Sequence, residues 1–249
     1  EWGNRMVGNT DPEHADVLIG SADSDEYKHV PFRSPAAIEV YEYGKHLAAE
    51  RRGKGGTDLI TLLADGVPSD GQPLSEHEFN TNFLLLVVAG NETTRHTITH
   101  SMKNLLDNPE QLDILRNDPS LIPWAVEEFL RYASPVYHFR RTATKDVEFS
   151  DTQISEGEKV VVWFASGNRD SAIFDEPYRF DVTRNPNEHM SFGRGGPHMC
   201  LGNALARIEL RIMFEELLSR DVTIERTGDI DYLRSNFVHG IKRMPVRVA

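Results

Sequence analysis

The sequence predicts a mainly α protein with small β elements. The strongest observation is a proline-free run of about 30 residues that follows a Ser-x-x-Glu capping box, Ser75 and Glu78, and predicts one long central helix. Downstream, Pro109, Pro119 and Pro123 divide the chain into shorter helical segments. Apolar segments in the second half are only three to six residues long, which predicts short strands.

Before the long helix, the sequence predicts three shorter ones. The first 30 positions are acidic and polar, and a short helix is expected over 12–19. Ser34 followed by Pro35 is typical of an N-cap and a first helical residue, so a helix is expected from there to near Gly53. A short apolar helix is expected over 58–63, and the long helix then covers 75–107.

After the long helix, the pattern predicts two further helices and four strands. A helix is expected over 125–132, ended by Pro135. Strands are expected at 147–149, 159–164, 222–224 and 246–248. The last helix is expected over 201–218. Its apolar stripe consists of Leu201, Leu205, Ile208, Ile212 and Leu217.

Composition is that of a globular protein and argues against several functional classes. The net charge of −12 disfavours nucleic acid or an anionic membrane as a partner. The most apolar run, 83–89, is too short to span a bilayer, and the first residues carry no initiator methionine or signal segment. We therefore expect a soluble, cytoplasmic protein. A single cysteine excludes an internal disulfide and a multi-cysteine zinc site.

The single cysteine lies in a loop with unusual backbone freedom. Residues 192–202 contain three glycines within four positions, followed by a proline, directly before the last helix. Cys200 is thus expected at a helix N-terminus, where free amides and the helix dipole favour a thiolate, the form that binds metals. Two alternatives remain open on these residues alone: an inert cysteine, or a nucleophile with His198 as its base.

A second group of residues lies in the middle of the long helix. Ala89 and Gly90 remove side-chain bulk, so another group can press against the helix there. Glu92 and Thr93 place a carboxyl beside a hydroxyl, a pair able to relay protons, and adjacent threonines favour a bend or bulge. The alternatives are a solvent-facing acid with a buried threonine, or a metal site of Glu92 with the histidines that follow at four-residue spacing.

The cysteine loop resembles the heme-binding loop of the cytochrome P450 family. The matching positions are Phe192, Gly195, His198, Cys200 and Gly202. The resemblance implies heme b (iron protoporphyrin IX) as the cofactor and Cys200 as the axial thiolate of its iron, with the other four residues shaping the cofactor site. The loop has one residue more between its phenylalanine and its cysteine than the commonest form, a length that a minority of bacterial members share.

The motif in the long helix and an arginine further along also follow the family pattern. Residues 89–94 resemble the oxygen-binding motif, which implies that the small residues face the heme while Glu92 and Thr93 deliver protons to dioxygen. Arg141 matches the arginine that binds a heme propionate, and His198 is implied to bind a propionate as well. Arginine suits a carboxylate because it can donate two parallel hydrogen bonds.

Glu128 and Arg131 form an acid and base pair three residues apart. By itself such a pair is typical of a helix surface and stabilises it by only about 0.2–0.5 kcal/mol. It resembles, however, the Glu-x-x-Arg pair that the family holds inside the fold, and Arg179 matches the arginine that completes that buried triad. The resemblance implies a structural role for all three residues.

Taken over nearly the whole chain, the resemblance implies one partial cytochrome P450 domain over 1–249, in which the N-terminal part of the fold is absent. It implies a bacterial monooxygenase that inserts one oxygen atom of O₂ into a C–H bond of a hydrophobic substrate such as a steroid, branched lipid or terpene. Electrons are expected from NAD(P)H through ferredoxin reductase and ferredoxin. Arg194, Arg207 and Arg211 are candidates for a basic docking patch, and a solvated helix face is the alternative.

Two other functions remain open. A chain that lacks part of the heme pocket is alternatively a heme-free, non-catalytic helical fragment that self-associates, for instance as a homodimer. The other alternative is a heme-thiolate peroxygenase driven by hydrogen peroxide. Glu92 beside Thr93 argues against the peroxygenase, because a proton relay matters most when dioxygen must be activated.

Overall fold

The computed structural model describes residues 1–66, 71–220 and 222–249 of the protein, and these residues are mostly helical with short strands, as predicted. The helices are α1 (Trp2–Val7), α2 (Pro35–Arg51), α3 (Leu59–Ala64), α4 (Glu76–Asp107), α5 (Pro109–Asn117), α6 (Ile122–Ala133), α7 (Phe164–Gly167) and α8 (Asn203–Leu218). The strands are β1 (His138–Thr142), β2 (Val147–Phe149), β3 (Thr152–Ile154), β4 (Lys159–Trp163), β5 (Ile224–Arg226), β6 (Asp231–Tyr232), β7 (Ile241–Arg243) and β8 (Val246–Val248). None of the described helices combines the length and the hydropathy needed to cross a membrane.

Residues 1–92 form one compact unit and residues 93–249 form another, with the boundary inside α4. The single domain over 1–249 stays a prediction. The start of α4 is the one predicted. The Ser75 amide donates to the Glu78 carboxylate at 2.8 Å, and the Ser75 hydroxyl accepts from the Glu78 amide at 3.3 Å. These reciprocal bonds satisfy free groups of the first turn, so the capping box is confirmed.

Local caps also start α2 and α3. The Ser34 hydroxyl accepts from the Ala36 amide at 3.2 Å, with a proline at the first helical position. The Asp58 carboxylate accepts from the amides of Ile60 and Thr61, both at 3.1 Å. α2 ends at Arg51, slightly before the predicted end. The predictions for both helices are therefore right apart from small shifts at their ends.

The helix predicted over 12–19 is wrong, and a helix forms earlier instead, as α1. Side-chain bonds hold the predicted segment in turns. The Asp11 carboxylate accepts from the Glu13 amide at 2.9 Å, and the Asp16 carboxylate accepts from Arg5 Nε at 2.8 and 2.9 Å. Such bonds compete with helical pairing. α1 has only six residues, too few for a period to appear in the sequence.

α1 is fastened to α2 by a shared carboxylate. Arg5 donates two hydrogen bonds to Glu39, at 2.8 and 2.6 Å, and Trp2 Nε1 donates to the same carboxylate at 2.8 Å. Behind these bonds, Met6 and Val40 are fully buried. The position of α1 on α2 is therefore fixed by three charge-assisted bonds and by packing.

Aromatic side chains form the centre of the second unit. Phe129 of α6 lies 4.6 Å from Phe214 of α8 and 6.1 Å from Phe180, measured between ring centroids. Leu210 is fully buried in the same cluster. Offset and tilted rings at these distances attract each other beyond their burial alone. This cluster packs α6 and α8 together.

The predicted apolar stripe of the last helix does not mark its buried face. Its exposed members are Leu201, Leu205, Ile208 and Ile212. The helix begins only at Asn203, and the residues that face the core are Leu210 and Phe214, with Leu217 packed beside them. Both sides of α8 are apolar, so helical spacing alone does not identify the inner one.

The sheets among the described residues are two-stranded and antiparallel: β1 with β4, β2 with β3, β5 with β8, and β6 with β7. In the first, His138 lies opposite Trp163 and Thr142 lies opposite Lys159. The predictions at 147–149 and 246–248 match β2 and β8, while those at 159–164 and 222–224 are shifted by one or two residues. The sequence did not predict β1, β3, β6 and β7, because polar residues in them obscure the strand pattern.

Candidate functional site

The cysteine loop closes through its own backbone. The Cys200 amide donates to the Phe192 carbonyl at 2.9 Å. Between them, Gly193, Gly195 and Gly196 have φ angles of 72°, 70° and 74°. This left-handed conformation costs other residues energy, so the loop path requires glycine at these positions. The result is a half-buried, free thiol held next to a rigidly closed turn.

The helix after the loop starts later than predicted. Gly202 is the N-cap of α8, so Cys200 lies just outside the helix rather than in its first turn. The Cys200 carbonyl accepts from the Asn203 side chain at 2.7 Å, which ties the cysteine to the helix start. A Cβ on Gly202 would meet no atom within 4 Å, so open space adjoins this end of the loop.

A charged network that the sequence did not reveal supports the loop. Arg207 of α8 donates to both carboxylate oxygens of Glu127, at 2.7 and 2.9 Å, and its guanidinium lies 4.6 Å from the Phe192 ring centroid. Buried His189 contacts the same carboxylate at 2.9 Å. Burial raises the pKa of Glu127, but the hydrogen bonds from His189 and Arg207 outweigh it and lower the pKa to about 2. Glu127 therefore stays ionised and holds the side chains of Arg207 and His189 beside the loop.

The predicted basic patch is neutralised by acids. Arg207 is paired with Glu127, as described above. Arg194 lies 2.7 Å from Glu188, and Arg211 lies 3.6 Å from Glu215 on the same helix. Each arginine thus has its own carboxylate, which weakens the positive field that a docking patch needs.

Arg141 and His198 are available for external anions. Arg141 is exposed on β1, where its guanidinium donates to the neighbouring Arg140 carbonyl at 3.0 Å. His198 is exposed in the cysteine loop. Within the ranges that the structure describes, neither forms an ion pair with a carboxylate, so both are free to bind acidic groups of a ligand.

These residues fit heme as a ligand. Cys200, as a thiolate, would supply the soft anionic ligand that iron takes in heme-thiolate proteins. Arg141 and His198 supply donors for the two propionates. Exposed Met199 and Leu201 supply apolar surface near the thiol. The chemistry of this donor set matches an apolar, dianionic macrocycle with a central metal.

In the α4 motif, residues 89–94, a buried acid lies next to an exposed stretch of small residues. Glu92 is only 1% exposed, and its Oε1 accepts from the Asn91 side chain at 3.1 Å, so the solvent-facing alternative for Glu92 is wrong. Ala89 and Gly90 are exposed, and a Cβ on Gly90 would meet no atom within 4 Å. Thr93 is half-buried. The small residues therefore leave room for another group, as the sequence predicts.

The backbone of α4 stays α-helical through this motif. The Thr97 hydroxyl donates to the Thr93 carbonyl at 2.8 Å without opening the helix. The bulge expected from adjacent threonines is therefore absent, since Glu76–Asp107 is assigned α-helix throughout. A back-bonding hydroxyl adds a second donor to a carbonyl that already accepts from the helix, so it need not break the ladder.

The metal alternative for the histidine row on α4 is not supported. His96 Nδ1 accepts from the Ile241 amide at 3.3 Å, and His100 Nε2 lies 3.1 Å from the His239 carbonyl oxygen. Across residues 1–66, 71–220 and 222–249, no group of three or more His, Cys, Asp or Glu side chains is arranged to hold a metal ion. These histidines instead pack the C-terminal segment onto α4.

Two histidines in ring contact make this packing dependent on pH. The rings of His100 and His239 lie 3.9 Å apart between centroids, and His239 Nδ1 contacts the Ala133 carbonyl at 2.7 Å. Burial, with the nearby His239 charge, lowers the pKa of His100 to about 3. Burial likewise lowers the pKa of His239. Both rings are therefore neutral in the folded protein near pH 7.

Acidification is expected to destabilise the second unit through His100. Its folded pKa lies below the unfolded value of about 6.5, so the unfolded state binds the proton first as the pH falls. The contribution of neutral His100 to the free energy of unfolding is fully present above about pH 6.5 and is lost progressively as the pH falls towards 3. This group alone should cost about 2 kcal/mol between pH 7 and pH 5. Urea unfolding at several pH values measures how steeply the free energy of unfolding depends on pH.

Replacement of His100 by glutamine keeps a donor for the His239 carbonyl but removes the titrating group. We expect the free energy of unfolding of His100→Gln to depend less steeply on pH. His46→Gln, a change at an exposed histidine, should leave that dependence unchanged. An unchanged slope in His100→Gln would contradict the assignment.

The Glu128 and Arg131 pair is fully buried, as predicted. Arg131 donates to both carboxylate oxygens at 2.7 Å. Its remaining donors reach the carbonyls of Asn168 and Pro177, each at 2.8 Å, and the Arg179 carbonyl at 3.0 Å. Every side of the guanidinium therefore has a partner, which such deep burial of a charge requires.

The role predicted for Arg179 is wrong. Its side chain is 56% exposed and pairs with Glu176 at 2.9 Å, so only its carbonyl reaches the buried pair. Arg184 lies there instead, 11% exposed, with Nε at 3.4 Å from Glu128 Oε2. A turn from Glu176 to Arg179 directs the Arg179 side chain outward and its carbonyl inward. The second cation near Glu128, after Arg131, is therefore Arg184.

Comparison with known proteins agrees with this arrangement. The cytochrome P450 family model matches residues 116–231. The methyl-branched lipid omega-hydroxylase of Mycobacterium tuberculosis is 43% identical over 246 residues, 98% of this chain and 54% of that protein. The linalool 8-monooxygenase of Pseudomonas putida is 40% identical over 246 residues, 98% of this chain and 57% of that protein.

A solved cytochrome P450 of Mycobacterium marinum in complex with pseudoionone superimposes with a TM-score of 0.85 at 41% identity, over 98% of this chain and 57% of that one. The fold and the loop define the class: a mainly helical protein whose one thiol lies in a glycine-rich loop before a helix. The chain belongs to the cytochrome P450 family, whose members carry heme b. It spans about half the length of the curated relatives that it matches.

Proposed function

We propose that this chain binds heme b through the Cys200 thiolate and serves a monooxygenase that inserts one oxygen atom of O₂ into a C–H bond. The observation that carries the proposal is the free, half-buried thiol in a loop closed by left-handed glycines. Heme with a thiolate ligand activates dioxygen, because the thiolate pushes electron density towards O–O cleavage. Arg141 and His198 hold the two propionates and so orient the cofactor.

Protons reach the reaction through the pair on α4. The Glu92 carboxyl is held inside the protein by the Asn91 amide, and the adjacent Thr93 hydroxyl passes a proton at Oγ1. Ala89 and Gly90 keep their stretch of the helix free of bulk, so the reacting groups have room. Burial of the carboxyl keeps bulk water from replacing the relay.

The substrate class is a hydrophobic molecule, and branched lipids and terpenes are the leading candidates. The omega-hydroxylase and the linalool monooxygenase support these classes, and a steroid is the third candidate. Electrons come from NAD(P)H through ferredoxin reductase and ferredoxin in the cytoplasm. The heme-free, self-associating alternative has one supporting observation, the exposed apolar side chains of α8.

Loss of the Thr93 hydroxyl is expected to uncouple turnover. In Thr93→Ala, with linalool or a methyl-branched fatty acid as the probe, product formed per NAD(P)H consumed should fall about tenfold and hydrogen peroxide release should rise, because proton delivery slows. Turnover driven by added hydrogen peroxide should change little. Both quantities are measured on the heme-loaded protein with ferredoxin and its reductase.

Thr99→Ala is the matched control, because Thr99 also bonds back to a helix carbonyl of α4, that of Arg95, at 3.0 Å. It should leave coupling unchanged. Turnover by peroxide alone, with no dependence on Thr93 or on NAD(P)H, would instead support the peroxygenase. Failure to take up heme after supplementation would support the heme-free alternative.

A further inference from the structure

Gly3 is the second residue of the short helix α1, and its backbone does not adopt the left-handed conformation that favours glycine. Glycine at this position therefore needs another reason. The structure supplies the reason. A Cβ on Gly3 would lie 2.3 Å from Glu92 Oε1, 2.9 Å from its Cδ and 3.0 Å from its Cγ. The two closer distances are shorter than real carbon contacts allow. The carboxyl of Glu92 therefore occupies the space that any other residue at position 3 needs.

α1 has little freedom to retreat from this contact. Arg5 is bound to Glu39 at 2.8 and 2.6 Å and to Asp16 at 2.8 and 2.9 Å, and Trp2 donates to Glu39 at 2.8 Å. Hydrogen bonds from Arg5 and Trp2 lower the pKa of Glu39 to about 2, so these bonds persist at all moderate pH values. A side chain added at position 3 would accordingly displace the Glu92 carboxyl rather than the helix.

The orientation of the Glu92 carboxyl depends on contacts with α1 and with Asn91. Gly3 lets it lie against the backbone of α1, and the Asn91 side chain donates to Oε1 at 3.1 Å. Since the side chain is only 1% exposed, it has no solvent into which it can swing without cost. The orientation of this acid thus depends on the absence of a side chain at position 3.

We infer that Gly3 is a positioning residue for the Glu92 carboxyl, an inference that rests on the proposed monooxygenase function. Gly3 touches no reacting group and acts only through Glu92. The acid must point its oxygens in one direction to pass protons, and misplacement of a catalytic group by about 1 Å costs up to roughly a hundredfold in rate. The added methyl of Gly3→Ala forces a movement of about that size, since the 2.3 Å overlap with Glu92 Oε1 must be relieved.

The test compares Gly3→Ala, Glu92→Asp and the variant that carries both, each as the heme-loaded protein with ferredoxin, its reductase and linalool. Gly3→Ala is expected to lower product per NAD(P)H about tenfold, since the relay is misaligned. Glu92→Asp draws the carboxyl back by one methylene and frees the space. The variant with both changes is therefore expected to recover the coupling of Glu92→Asp, a rescue that a merely structural defect would not show.

A crystal structure of Gly3→Ala is the second readout and needs no turnover. It is expected to show the Asn91 Nδ2 to Glu92 Oε1 contact, now 3.1 Å, broken. Gly44→Ala is the matched control, because its Cβ would lie 2.7 Å from Phe83 Cδ1, a similar overlap against a ring in the same unit. It should lower the melting temperature and leave coupling unchanged.

The outcomes separate this inference from the proposed function. If Glu92→Gln leaves coupling intact, the proton role of the pair is wrong, and the proposed function fails in that part. If Glu92→Gln uncouples but Gly3→Ala does not, or if the double variant is no better coupled than Gly3→Ala, the positioning role of Gly3 is overturned. If Gly3→Ala does not fold, the double variant provides the test, because the shorter aspartate side chain relieves the overlap with the Cβ at position 3.

Discussion

Replacement of Cys200 by alanine is expected to abolish the red-shifted Soret band that the reduced, heme-loaded protein shows with carbon monoxide. The band depends on a thiolate ligand to iron, and a methyl group cannot ligate. The sequence contains one cysteine, so no other thiolate can take its place. The measurement is the absorption spectrum after dithionite reduction and exposure to carbon monoxide, before and after addition of heme.

Met199→Leu is the matched control for this change. Met199 adjoins the cysteine, is 47% exposed and also carries sulfur, but as a neutral thioether. Its replacement should leave the band in place. A red-shifted band that survives in Cys200→Ala would contradict the assignment of the ligand. No Soret absorption in the unaltered chain, even with added heme, would favour the heme-free alternative.

Features that depend on neighbours in the sequence could be predicted from it. The capping box of α4 and the Ser-Pro start of α2 satisfy their own helix ends, so no distant partner is needed to recognise them. The glycines of the cysteine loop are equally local, because their left-handed φ angles are a property of each residue. For the same reason, the thiol could be identified before its surroundings were known.

Features that depend on the path of the chain could not be predicted. Arg179 and Arg184 have the same side chain a few residues apart, and only the turn before Arg179 decides which of them points to Glu128. Gly3 is distant in sequence from Glu92, so its reason for being glycine appears only in the fold. In α8, two apolar faces compete, and packing against Phe129 selects one of them.

Replacement of Glu128 by glutamine is expected to lower the free energy of unfolding by about 3–5 kcal/mol. The substitution keeps the shape of the side chain but leaves the charge of Arg131 fully buried with no counter-ion at 2.7 Å. Desolvation of that charge is no longer offset by its carboxylate. Urea unfolding measures the change. If the slope of the unfolding free energy against urea concentration is unchanged, the variant exposes the same surface on unfolding, and the difference is one of stability alone.

Arg179→Ala is the control that separates the buried pair from its exposed neighbour. It removes only a surface side chain, so the loss of unfolding free energy should be small beside that of Glu128→Gln. Arg184→Ala removes the cation 3.4 Å from Glu128 and should cost more than Arg179→Ala. Comparable small losses in Glu128→Gln and Arg179→Ala would show that the buried pair adds no net stability.

The buried pair also has a route to the cysteine loop, which sets a second expectation for Glu128→Gln. Arg131 donates to the Asn168 carbonyl at 2.8 Å, and the Asn168 side chain bonds the Met190 amide at 2.6 Å and the Ser191 hydroxyl at 2.9 Å. Ser191 immediately precedes the loop that carries the thiol. A shift of Arg131 would therefore loosen the start of that loop, so Glu128→Gln should release heme more readily than Arg179→Ala does, even in urea too dilute to unfold either variant.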